Sequence, residues 1–168
     1  VYYAEFIAFY HVRAVRPMHM RHLPGGWIYI LLSSADYTRS KIGKTIQNPL
    51  IRFRQLRTGD PCLGLLVAYY IPEHLGPVSI FESSIHNELK DYRIKNHEES
   101  NSEWFRIDAD QAEQQIDWML EGWCEQKLSS PTEIYLEVLT KMYESDIQSL
   151  FEPNLHELEF ARDVAGEL

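Results

Sequence analysis

Three residues of different chemistry stand on what read as three separate elements. Tyr29 lies in an apolar run, Arg52 in the first turn of a helix, and Glu82 near the start of a later helix. A phenol, a guanidinium and a carboxylate are together the groups that phosphodiester hydrolysis calls for. That reaction needs an activated water, charge stabilisation on the non-bridging oxygens, and support for the departing oxygen. Arginine supplies a planar, permanently charged fork for phosphate. A carboxylate, with waters and substrate phosphate, holds a hard divalent cation. A tyrosine phenol takes up a proton or orients a water when neighbouring cations tune it. His86 follows Glu82 by one helical turn and shares its face. Around these, Arg39, Lys41, Lys44, Arg52, Arg54 and Arg57 fall within nineteen residues, opposed only by Asp60 just beyond. Such a cluster is suited to phosphate. Each residue also has a plainer reading: a half-buried strand tyrosine, a solvated arginine, a helix-start carboxylate, a satisfied structural histidine, and lysines that guard a strand edge.

The elements that must position these groups follow from pattern. Trp27–Ser33 is aromatic and β-branched, hence a strand. Pro24-Gly25-Gly26 before it is a turn signal. After the polar stretch Ser34–Thr38, Ser40–Gly43 reads as a second strand, making a hairpin. Asn48 is an N-cap with Pro49 at the first helical position, and Gly59-Asp60-Pro61 stops that helix. Leu63–Ile71 is a strand of the interior. Val78–Lys95 reads as a helix with Ile80, Phe81, Ile85, Leu89 and Tyr92 on one side. Glu103–Ile107 closes the sheet. A helix begins at Asp108 with the stripe Ile116, Met119, Leu120 and Trp123. A further helix runs from Ser130 to Leu150, and a last one over Leu155–Val164. The order β-β-α-β-α-β followed by acidic helices predicts an α+β fold: a small mixed or antiparallel sheet of three to four strands flanked by helices.

Composition narrows the functional classes. The chain has 168 residues, 45% hydrophobic and 24% charged, which suits a globular domain with an appendage. No apolar run approaches the ~20 residues of a membrane span. Cys62 and Cys124 form no CxxC pair, so the expectation is a reducing, cytoplasmic setting (nuclear in a eukaryote) without a disulfide framework or cysteine zinc site. The first residue is Val, read as the start of an excerpt or processed product, and no signal peptide is discernible. The net charge of -9 is unevenly spread: residues 108–168 carry three Lys/Arg against fifteen Asp/Glu, whereas 27–107 carry ten against nine. The acidity therefore belongs to the last third and leaves a nucleic-acid-binding middle open. His19 and His22 have no ligand partners nearby, and Gly43-Lys44-Thr45 lacks the upstream glycine of a phosphate loop.

Read in order, the series becomes specific: Gly26-Trp27-Ile28-Tyr29, Lys41-Ile42-Gly43-Lys44-Thr45, Asn48-Pro49-Leu50-Ile51-Arg52, Leu56-Arg57-Thr58-Gly59-Asp60-Pro61, Glu82 to His86, and Glu103-Trp104-Phe105. It resembles the GIY-YIG nuclease family, and within it the subset whose second motif reads Lys-Ile-Gly-Lys-Thr. The resemblance implies a metal-dependent endonuclease acting on DNA. By that likeness Tyr29 is the general base or water-positioning group, Arg52 binds phosphate, and Glu82 holds Mg²⁺ or Mn²⁺. His86 donates to phosphate or orients a water, and Lys44 lowers the phenol pKa or contacts phosphate. Lys41, Lys44, Arg52 and Arg54 are expected DNA contacts, and Glu103 is a rival carboxylate. Lys41 stands where the family has its second tyrosine, which departs from a two-tyrosine mechanism.

The implied organisation is an N-terminal segment 1–25, a nuclease-like domain 26–107 and an acidic helical extension 108–168. The extension docks a protein partner or the remainder of a longer chain, occludes the basic face, or covers the apolar stripe. Two alternatives stand beside the nuclease: a catalytically weak or inactive nucleic-acid-binding module of the same fold, and a protein-interaction domain using the acidic helices.

Overall fold

The computed structural model describes residues 24–127 and 140–152. The N-terminal segment up to residue 23 and the expected last helix at Leu155–Val164 lie outside the described residues. Six strands form one sheet: β1 (Gly25–Ser33), β2 (Ser40–Thr45), β3 (Leu63–Pro72), β4 (Arg93–Lys95), β5 (Asn101–Phe105) and β6 (Thr140–Tyr143). Their order across the sheet is β4-β5-β2-β1-β3-β6, with every neighbouring pair antiparallel. Four helices cover it: α1 (Pro49–Gly59), α2 (Val78–Glu88), α3 (Ala109–Lys127) and α4 (Glu144–Phe151). The α+β expectation holds, with an antiparallel sheet wider than the three to four strands foreseen.

Both faces of β1 are covered, which is why Trp27 to Leu31 are apolar or aromatic without alternation. Ile28 and Ile30 join Ile42, Val67, Tyr69 and Ile71 beneath α2 and α3. Trp27, Tyr29 and Leu31 join Leu63, Leu65, Ala68 and Tyr70 beneath α1 and α4. Period-two alternation thus divides one strand between two cores. Gly25 and Gly26, read as a turn, are instead the first pairs of β1, opposite Pro72 and Ile71. A Cβ on Gly26 would meet Val78 at 2.7 Å. The missing side chain lets the first residue of α2 sit against β1.

Three further readings are corrected. The helix from Val78 ends at Glu88, not Lys95, and after a 3-10 turn the chain enters β4, which forms a hairpin with β5. Ile80 and Tyr92 are exposed, not on the packed side. Residues 140–143 of the helix expected from Ser130 to Leu150 form β6 on the free edge of β3, and α4 begins at Glu144; residues 130–139 lie outside the described residues. Position α3 as the stripe requires: Ala112, Ile116 and Leu120 are buried in the core shared with β1 and α2, and Met119 and Trp123 pack against it. Strand β6 is fastened by charge as well as by its ladder. Lys141 Nζ lies 2.5 Å from Glu113 Oε1 and 2.7 Å from Asp117 Oδ2 of α3. The hydroxyls of Tyr143 and Tyr69 donate to the same carboxylates, at 2.8 and 2.7 Å.

The first helix starts as its sequence demands. Asn48 Oδ1 accepts the Leu50 N–H at 2.9 Å, and Pro49 occupies the first turn where no amide is needed. Leu50 and Phe53 anchor it to the sheet, which leaves Arg52 at the side of that contact.

Candidate functional site

Strand β2 loses its outer neighbour halfway along. Its ladder to β5 ends at the pair Lys41–Trp104, two residues before Gly43. On the inner side it remains paired with β1, which sets Tyr29 opposite Gly43. A Cβ at position 43 would lie 2.6 Å from the Tyr29 hydroxyl oxygen. The phenol therefore occupies the space that a side chain at 43 would need.

Groups from three other elements act on that phenol. Burial pushes its pKa up; a hydrogen bond and the positive charge of Arg52 from α1 pull it down; the carboxylates of Glu103 from β5 and Glu82 from α2 push it up again. The net direction is upward, so the hydroxyl keeps its proton at neutral pH and is available as a hydrogen-bond donor. The cation acting on the phenol is Arg52. Lys44 is engaged elsewhere, its ammonium in contact with Glu82 Oε2.

Glu82 sits on the inward side of α2, in the stripe Val78, Phe81, Glu82, Ile85 and His86. Its side chain is 9% exposed against 39% for Lys44. Glu103 is held by Lys41, Nζ to Oε2 2.6 Å. Burial alone would raise the Glu103 pKa, but the hydrogen bond and charge of Lys41, with His86 and Arg52 adding to them, hold it below the usual carboxylate range. Lys41, at the place of the family's second tyrosine, thus neutralises a carboxylate beside the site.

His86 is buried with both ring nitrogens occupied. Nε2 lies 3.0 Å from the Ile42 carbonyl, and Nδ1 lies 3.2 Å from Arg93 Nη2. A guanidinium can only donate, so Nδ1 accepts, Nε2 carries the proton, and the ring is neutral. Burial is the main cause of a pKa below the ordinary histidine value; Arg93 lowers it further, while the Ile42 bond, Glu82 and Glu103 oppose. The bond to Ile42 falls where β2 has lost β5. The histidine fastens the open edge next to Gly43.

The predicted residues divide accordingly. Tyr29, Arg52 and Glu82 are brought together with Glu103, while His86, Lys41 and Lys44 each hold one member of the group or its strand. Arg54 lies outside: its guanidinium grips Glu152 at the end of α4 through two bonds of 2.5 and 2.8 Å. Arg93, the partner of His86, was missed because the stretch to Lys95 reads as helix. Its Nε also donates to the Ser102 carbonyl at 2.7 Å, joining β4 to β5.

Among the described residues no group of three or more His, Cys, Asp or Glu is placed to hold a metal ion. The donor set suits a different arrangement, in which one carboxylate shares the ion with waters and substrate phosphate, as Mg²⁺ commonly binds. Glu82 and Glu103 are the two carboxylates near Tyr29 that could supply such a ligand. None of the described helices is long and apolar enough to cross a membrane.

Compared with protein families, the chain matches the T5orf172 domain over residues 26–120. The matched span includes every site residue above and continues past Ile107 into α3. No curated protein and no solved structure gives a match. The matched span is more than half of the chain: the protein belongs to the T5orf172 domain family, a GIY-YIG-like, nuclease-associated family.

Proposed function

We propose that this domain is a metal-dependent endonuclease that hydrolyses DNA phosphodiester bonds, of the GIY-YIG subset with a Lys-Ile-Gly-Lys-Thr second motif. The observation that carries the reading is the Tyr29 hydroxyl packed against Gly43 at the open edge of β2, where the charges of Arg52, Glu103 and Glu82 all act on it. Arg52 binds the non-bridging oxygens of the scissile phosphate. The Tyr29 hydroxyl, which keeps its proton, orients the attacking water through a hydrogen bond. Glu82 holds Mg²⁺ or Mn²⁺, which when bound stabilises charge on the phosphate and its leaving oxygen. His86 keeps Ile42, and so Gly43, in place.

The test is nicking of supercoiled plasmid in Mg²⁺ or Mn²⁺, beside EDTA and a Glu82→Ala control. Metal-dependent nicking that disappears in the variant supports the reading. A folded wild type that binds DNA without nicking it under any metal overturns it. A second reading, a binding module of the same fold without catalysis, is favoured by one observation: both site carboxylates already carry a lysine counter-ion, Lys44 on Glu82 and Lys41 on Glu103.

A further inference from the structure

We propose that Lys44 is a cationic place-holder for the divalent ion: its ammonium occupies the Glu82 carboxylate until a DNA phosphate draws it away, so the ion is taken up after DNA. This inference rests on the reading of Glu82 as the metal-binding carboxylate.

The asymmetry between the partners supports it. Glu82 is fixed on α2 between the buried Phe81 and Ile85, and its side chain is 9% exposed. Lys44 reaches it from the side of solvent, 39% exposed, on a flexible four-carbon stem. One partner can swing away and the other cannot. An ammonium and a divalent cation compete for the same oxygen, and their repulsion at contact distance is strong in a partly buried site. With no three-ligand group among the described residues, nothing else in the described protein compensates for that competition. A nucleic-acid strand supplies both missing parts: an alternative anion for Lys44 and further oxygen ligands for the ion. Without DNA the carboxylate stays neutralised by Lys44 and the ion is bound weakly.

The experiment measures Mn²⁺ affinity without DNA, by the loss of the free-ion electron paramagnetic resonance signal. Lys44→Met is expected to bind Mn²⁺ about tenfold or more tightly than the wild type. Lys44→Arg, which keeps the charge, stays close to wild type. Adding Glu82→Gln to Lys44→Met abolishes the gain. Circular dichroism confirms folding; if Lys44→Met does not fold, Lys44→Gln carries the same test. Equal Mn²⁺ affinity in wild type and the neutral variant, with plasmid nicking intact, overturns the place-holder and leaves the nuclease standing. Absence of Mn²⁺ binding in every variant, together with absence of nicking, overturns both.

Discussion

Tyr29 and Gly43 face each other across β1 and β2, and the phenol of the first fills the space of the side chain the second lacks: a Cβ at 43 would lie 2.6 Å from its hydroxyl oxygen. Tyr29 is 2% exposed, so its ring cannot retreat without disturbing the core under α1. Gly43→Ala is therefore expected to displace the hydroxyl and to cost about 1–3 kcal/mol by overpacking. Urea denaturation reads the stability. Cleavage is expected to fall by more than the lost folded fraction explains. A variant with wild-type stability and wild-type cleavage would show that the hydroxyl has no fixed place to keep.

His86 gives a pH dependence whose sign is determined. Its pKa in the folded protein lies below the unfolded value because burial disfavours the cation. The stability this contributes is complete above the unfolded pKa, about 6.5, and is lost as pH falls through the folded value. Protonation of Nδ1 would also expel Arg93 from its hydrogen bond. The urea midpoint is expected to drop between about pH 7.5 and 5.5, and His86→Gln is expected to flatten that drop. The carboxylate Glu103, also depressed, acts in a lower window, below its ordinary value near 4.5. Identical midpoint profiles in wild type and variant would contradict the assignment.

Arg54 and Glu152 form an exposed, bidentate pair that links the basic helix α1 to the end of α4. A pair so open to solvent is expected to add little to stability. Its consequence is for binding, because Glu152 takes a guanidinium that would otherwise meet phosphate. Glu152→Gln is expected to tighten DNA binding a few-fold at low salt, whereas Arg54→Ala in that background returns it to wild type and lowers the salt slope by about 1. Fluorescence anisotropy with a labelled duplex measures both. Removing everything after Ile107 would not answer the question, since it deletes Ile116 and Leu120 from the core.

Lys141 sits between Glu113 and Asp117 and holds β6 to α3. Its replacement by Ala would leave the carboxylates of Glu113 and Asp117 without this cation, beside the buried Tyr69 and the half-buried Tyr143. A loss of about 2–3 kcal/mol is expected in urea denaturation, the lower side of what breaking a buried pair costs, because the groups are partly solvated. A change within error would mean that the other contacts of β6, its ladder to β3, Met142 and Tyr143 among them, suffice to hold it.

Local sequence carried much of this architecture and failed at identifiable places. The hairpin of β1 and β2, the cap at Asn48 and the end at Gly59 rest on neighbours within a few residues, and all form as read. The helix α2 ends at Glu88 rather than Lys95, and its buried stripe takes in Glu82 and His86 beside the expected Phe81 and Ile85. A reading by hydrophobic period discounts polar members, so it preferred Ile80 and Tyr92, which are exposed. Polar members of the stripe thus concealed part of the orientation of the helix. Strand β6 has no strong strand signal of its own. It depends on Lys141 meeting carboxylates more than twenty residues earlier, and sequence separation hides such a pairing. The same holds for Lys41 with Glu103 and Arg54 with Glu152. Motif order singled out Tyr29, Arg52, Glu82 and Glu103 as candidates; which partners neutralise or fasten them needed the fold.

The central claim is that Tyr29, Arg52 and Glu82 act as one catalytic site on DNA. It is tested most directly by single-turnover nicking of supercoiled plasmid in Mn²⁺ by the wild type and by Tyr29→Phe, Arg52→Ala and Glu82→Gln, with DNA binding measured in parallel. Each variant is expected to remain folded, to keep DNA affinity within a few-fold, and to lose cleavage by about a hundredfold or more. Metal-dependent nicking that survives all three substitutions, or a wild type that binds DNA and never cuts it, would contradict the account.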